Sequence, residues 1–502
     1  MVKKLSAQNV LLCALIAVVG VTASCKKSST PNEAENTSEA NTLQIATTNR
    51  DYLTKDSIFL YAKQTYFWNT GLPSYDAFNP RKYAKNEDVA AALRVLPASG
   101  GKDKYSFIDD GSVATQLGGV SGDYGFSADF DVNNLLRVKF VYPSSPAALQ
   151  GLKRGYQIMK VNGGGVSRTS QADIDNLNNS IFGSNPAITM TVLKPDGSSA
   201  DITINRATYN INPILYTNTY TTGTKKVGYI VFNSFTTNSV SLLDAAFAKF
   251  AADGVSELIV DLRYNGGGSV ATSEAFTNLI APSGQNGKVM YTTYWTQTMQ
   301  DNKATILQNQ KFYAKGNDGV TRLYSYFDYP WVPTIAAGNQ EVFAKRGPLN
   351  NLSKVYFLVT RGTASASELL INNLKPVMDV KLIGKTTYGK PVGFFAIHID
   401  KSDLYIPQFQ TKNQLNQGDY FNGMTVDKDV ADDLTKDFGD PTEKLLAQAL
   451  YYSVNGNFSA IASMNTLSST SGISRAQIDY ANEKLDHEFK GMVETRKLKP
   501  NK

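Results

Sequence analysis

From Val227 onward the chain alternates short, wholly apolar runs with amphipathic stretches, and this restricts the fold more than any other feature. Gly228-Tyr229-Ile230-Val231-Phe232, Leu258-Ile259-Val260-Asp261-Leu262 and Val355-Tyr356-Phe357-Leu358-Val359 read as strands buried on both faces. Residues 242–250 and about 365–374 carry helical spacing. Strands alternating with helices predict an α/β core on a mostly parallel sheet, with sites at the strand C-termini. Small residues follow two of these strands: Asp261-Leu262-Arg263-Tyr264-Asn265-Gly266-Gly267-Gly268 and Gly362-Thr363-Ala364-Ser365-Ala366-Ser367-Glu368.

At 502 residues the chain is too long for one core, so a multidomain α/β protein is expected. Residues 1–24 read as a signal peptide: Lys3 and Lys4 precede an apolar run over 10–23, and Thr22-Ala23-Ser24 are small. The run falls short of the roughly 20 residues a membrane-spanning helix needs. Small residues leading into Cys25 resemble the lipobox of bacterial lipoproteins, which implies a lipid on Cys25 and attachment to a membrane of the cell envelope, facing the periplasm or the cell surface. Residues 25–50 are polar and predict a flexible tether.

Residues 51–112 form a small helical N-terminal unit in this reading, from the spacing of Leu60, Tyr61, Gln64, Phe67 and Trp68 and of Val89, Ala92, Leu93 and Val95. Residues 113–207 change to short alternating strands with turn signals. The α/β core spans 208–455, with an aromatic-rich segment over 285–350 expected as an insertion or irregular cap over the sheet edge. Residues 456–502 form a C-terminal helical tail, its helix expected over 473–495.

A net charge of +6 on so long a chain gives no reason to expect nucleic acid as a partner. Cys13 and Cys25 are the only cysteines, so a processed and acylated chain has no thiol for a disulfide, a zinc site or a nucleophile. His398 and His487 are the only histidines; His398 lies in a strand pattern and His487 in the tail. No Gly-x-Ser-x-Gly elbow is present, which disfavours an α/β-hydrolase triad. No metal and no cofactor are expected.

A serine at the start of a helix lies where developing negative charge is favoured, although Ser365 or Ser367 as a plain N-cap would give the same pattern. Glycines 266–268 allow an anion-binding turn or simply a tight one. Gly384-Lys385-Thr386-Thr387-Tyr388-Gly389-Lys390 adds a lysine downstream. A serine hydroxyl needs a base, and lysine serves only when neutral, its pKa lowered from about 10.4 towards 7 by burial. Val392, Phe394 and Phe395 suit such desolvation.

Together these three segments resemble the C-terminal processing (tail-specific) serine protease family. The resemblance implies Ser365 as nucleophile and Lys390 as general base, with the N–H of Ala366 and one from Gly266 or Gly267 as oxyanion donors. Where many members carry a glutamine four residues after the lysine, this chain has Phe394, so either another group orients the lysine or activity is lowered or lost. The stretch from Ser145-Pro146-Ala147-Ala148 to Val161-Asn162-Gly163 resembles a PDZ domain of the bacterial protease type. That implies a peptide-binding loop near Tyr124-Gly125-Phe126, and protein or peptide partners with free, apolar C-termini. The expected activity is membrane-anchored endoproteolysis. The competing expectation is a catalytically silent PDZ lipoprotein that binds peptides as a scaffold.

Overall fold

The apolar runs pair edge to edge, because strands buried on both faces satisfy their backbone only within a covered sheet. In the computed structural model, which describes residues 45–168, 170–315, 318–460 and 475–494, the longest helices before residue 100 are α1 (Arg50–Thr65) and α2 (Asn86–Val95). An antiparallel sheet follows whose five main strands have the spatial order β1 (Phe126–Phe130), β2 (Leu136–Val141), β3 (Gln157–Val161), β4 (Ala187–Leu193) and β5 (Ser199–Asn205), with a short sixth strand, Gly164–Gly165, paired to β3 and helix α3 (Gln171–Ile181) on one face. β1 is an edge strand of that sheet.

The central sheet has the order β6 (Ile214–Thr222), β7 (Lys225–Phe232), β8 (Glu257–Asp261), β12 (Lys354–Val359), β13 (Asp379–Gly384) and β16 (Lys428–Asp429). β6 and β7 are an antiparallel hairpin; the other pairings are parallel. Between β7 and β8 runs α4 (Ser239–Ala252), and after β8 come a short strand β9 (Gly267–Ser269) and α5 (Val270–Ile280). A second, four-stranded sheet has the order β11 (Gln340–Val342), β10 (Val289–Trp295), β15 (Phe409–Asn413) and β14 (Val392–Gly393). Helix α6 (Ala366–Leu374) follows β12, and α7 (Lys444–Asn455) covers the other face of the central sheet. The tail ends in α8 (Arg475–Leu485) and a strand β17 (Gly491–Val493) parallel to β9.

Three expectations differ from the structure, each because tertiary contacts outweigh local pattern. α1 ends at Thr65, so Phe67 and Trp68 lie beyond it; its buried face is Ile58, Phe59, Tyr61, Ala62 and Thr65, with Leu60 exposed. Residues 285–350 are not an irregular cap: β10 and β11 build the second sheet, and Trp295, Trp331 and Phe343 join the main apolar core. The terminal helix stops at Leu485 rather than near 495, since Gly491, Met492 and Val493 pair with β9 instead of continuing as helix.

Candidate active site

Ser365 lies between β12 and α6 with φ 62° and ψ −111°, a conformation costly for any residue with a Cβ. Four bonds to the neighbouring glycine-rich turn hold it there. Thr363 Oγ1 donates to Leu262 O at 2.7 Å, Ala364 N to Asn265 O at 3.1 Å and Ser367 Oγ to Asn265 O at 3.0 Å, and Thr360 Oγ1 donates to Arg263 O. The two turns flagged in the sequence are therefore one stapled unit. Ser365 is buried, and its Oγ makes no hydrogen bond among the described residues.

Glu368, one turn into α6, ties this unit to the lysine segment. Its Oε2 accepts from Ser365 N and from Lys390 N, each at 2.8 Å; its Oε1 accepts from Gly389 N at 2.8 Å and from Thr387 Oγ1 at 2.5 Å. One buried carboxylate thus seats the backbones of both candidate catalytic residues. Burial raises its pKa, and the four donors act against that rise. The one local signal for this role of Glu368 is the Ser-x-x-Glu spacing of a capping box.

Lys390 is 0% exposed. Its Nζ lies 4.0 Å from the centroid of the Phe394 ring and 5.1 Å from that of Tyr105. Burial holds the amine well below its ordinary pKa, although Asp103 and Glu368 attract the charged form. Tyr105 OH donates to Gly389 O at 2.5 Å and Lys104 Nζ to Tyr388 O at 2.8 Å, so the helical N-terminal unit supplies one wall of the pocket. The Nζ bond goes to Lys490 O at 2.7 Å, in the tail. Phe394, where a glutamine was expected by resemblance, forms an apolar wall of the pocket.

The glycine turn places backbone where no side chain fits. Gly267 has φ 108°, and a Cβ there would come within 2.9 Å of Ala366 N and 2.4 Å of Gly491 O. Gly267 N donates to Asn265 Oδ1 at 2.9 Å, and Gly266 O accepts from Gly491 N at 3.0 Å. Ala366 N and this turn therefore face the same space, which the tail shares.

Tyr124, Gly125 and Phe126 lie at the start of β1. Tyr124 and Phe126 are buried in the core of the five-stranded domain, and Gly125 N donates to Asp123 Oδ1 at 2.7 Å. His398 pairs with Asp403 at 3.1 Å, and the His487 ring stacks on Phe182. Cys25 lies outside the described residues. Among the described residues no cluster of three His, Cys, Asp or Glu could hold a metal, and no helix is long and apolar enough to cross a membrane.

Residues 226–431 match peptidase family S41. The chain is 24% identical over 270 residues to the chloroplastic C-terminal processing peptidase of Tetradesmus obliquus, covering 52% of this chain and 48% of that protein. It is 24% identical over 339 residues to a Staphylococcus aureus (strain COL) protein assigned as a CtpA-like serine protease, covering 67% of this chain and 58% of that one. The chain spans about half the length of these curated relatives. A solved structure from Bacteroides fragilis NCTC 9343, assigned to the S41 proteases, superposes with a TM-score of 0.55 at 24% identity, covering 80% of this chain and 97% of that one; it shares the fold.

Proposed function

We propose that this chain is a serine endopeptidase with Ser365 as nucleophile and Lys390 as its base, a reading supported by the match of residues 226–431 to peptidase family S41. The observation that carries the reading is the Glu368 carboxylate, which accepts from the backbone N–H of both residues at 2.8 Å. Ser365 Oγ attacks the scissile carbonyl carbon while neutral Lys390 Nζ takes its proton. The ammonium then protonates the leaving amine, and water releases the acyl group with the same lysine as base. The developing oxyanion is stabilised by the Ala366 N–H at the start of α6; a donor from the glycine turn adds to it once Gly267 N leaves Asn265. Lys390 suits the role because burial favours its neutral form.

Substrates in this reading are proteins or peptides selected through apolar C-terminal residues by the PDZ-like domain over 113–207, with the chain held at a membrane through a lipid on Cys25. The test is cleavage of an unstructured protein with an apolar C-terminus by wild type, Ser365→Ala and Lys390→Ala. Cleavage by wild type alone is expected, weakened when the substrate's terminal carboxylate is amidated. The chain should leave the membrane fraction when Cys25→Ser is introduced. Phe394 favours a second reading, a silent peptide-binding scaffold. That reading stands if wild type and both variants are equally inert, in the full chain and in the shortened chain described below.

A further inference from the structure

Residues 490–494 run extended through the candidate active site, with Gly491–Val493 as an added strand. On one side β17 lies parallel to β9, and Gly491 N donates to Gly266 O at 3.0 Å. On the other, Phe394 N donates to Met492 O at 3.0 Å and Glu494 N to Phe394 O at 2.9 Å. Lys390 Nζ, the proposed base, donates to Lys490 O, the residue just before this strand. An extended peptide held by backbone bonds on both sides, with a carbonyl on the base, occupies the space an extended substrate would need.

The segment just upstream is anchored in the five-stranded domain. Ile478, Ala481 and Leu485 of α8 are buried in the same cluster as Phe126, Phe130, Ile174 and Leu177, so the helix lies between the edge strand β1 and α3. Asn482 Oδ1 accepts from Phe130 N at 2.7 Å, and its Nδ2 donates to Phe130 O at 2.8 Å. These are backbone groups of an edge strand that a peptide added to β1 would use. Between helix and strand, Glu488 pairs with the buried Lys139 at 2.9 Å. One segment thus fills two peptide seats.

We propose that residues 475–494 are an internal inhibitor of the protease domain, the strand occupying the substrate seat and α8 occupying the edge of β1, so that a peptide pairing with β1 releases the strand. This rests on the serine peptidase reading above. Tethering makes the block effective, since an intramolecular strand competes at a local concentration that a free peptide matches only near millimolar. A ligand of β1 activates only by binding the released state better than the docked one.

The experiment compares the full chain, a chain ending at His487, and full-length Gly491→Pro, which removes the N–H given to Gly266. Ser365 labelling by a small fluorophosphonate and cleavage of an extended peptide are measured, with thermal melting as a check on folding. Both altered chains are expected to label and cleave about tenfold faster or more. A synthetic peptide of residues 486–494, added to the shortened chain, should raise KM with little change in kcat. If the shortened chain fails to melt cooperatively, Gly491→Pro decides. Equal rates in all chains, or slower rates in well-folded altered chains, overturn the inhibitory role and leave the peptidase reading standing. Labelling of no chain overturns that reading and the inference together.

Discussion

Arg263 and Lys390 are both basic residues on short segments that follow strands of the central sheet, and they are 1% and 0% exposed. Their surroundings differ completely. Arg263 donates to Asp261 at 2.8 and 2.9 Å, to Asp432 at 2.7 Å and to Glu443 at 2.9 and 3.0 Å, and these charges hold its pKa well above the ordinary arginine range despite burial. Arg154 of the five-stranded domain reaches the same Asp432 at 3.1 Å, so this hub also joins two parts of the fold. Lys390 Nζ instead meets two aromatic rings and one carbonyl, and burial drives its pKa down. Equal burial therefore goes with a charged joint in one place and with an amine whose neutral form is favoured in the other. The difference lies in whether a carboxylate reaches the cation.

The largest expected effect tests the catalytic half of this contrast. Ser365→Ala and Lys390→Ala should each lower kcat about a thousandfold or more while circular dichroism stays that of wild type. Next, Arg263→Met should destabilise the chain by about 3–5 kcal/mol in denaturant unfolding, because Asp261 and Glu443 would be left buried without their partner. Lys390→Met should cost nothing or stabilise. If the two substitutions cost the same, the contrast is wrong.

Glu368→Gln sharpens the comparison from the side of the clamp. An amide has one oxygen where the carboxylate uses two to accept four bonds, so Ser365 and Lys390 should lose register and kcat should fall about ten- to a hundredfold. A smaller change would make the clamp merely structural. The smallest effect concerns pH. The lysine's folded-state pKa is depressed, so the unfolded chain binds more protons between that value and the usual lysine range, and stability rises with pH through this window. Wild type should therefore gain stability relative to Lys390→Met as pH rises from neutral towards 10, and the rising limb of kcat/KM should fall well below 10.5. A limb near 10.5 would mean the amine is charged in the pocket.

Much of the core was legible in the sequence because wholly apolar runs can only pair inside a covered sheet, as at Tyr229–Phe232 and Val355–Val359. Ser365 and Lys390 were picked out by the resemblance of their segments to the C-terminal processing protease family, each segment following a strand of that sheet. Less accessible were contacts between residues far apart in the chain. The Tyr105 wall of the lysine pocket lies 285 positions before Lys390, and nothing in its local pattern points there. In the tail the helical expectation ran past Leu485, because pairing with β9 and the bond from Lys390 to Lys490 involve partners absent from any local window.

By itself the sequence determined the alternation of strands and helices and the run of glycines at the turn after Asp261. Those properties depend on side-chain type and short-range sterics. Only the tertiary structure decided that Glu368 would seat both residues, that Lys390 would be desolvated while Arg263 stays ion-paired, and that the tail would lie across the site. Each depends on burial and on long-range partners, and burial sets the strength of a charge or hydrogen bond only once the chain has closed around it.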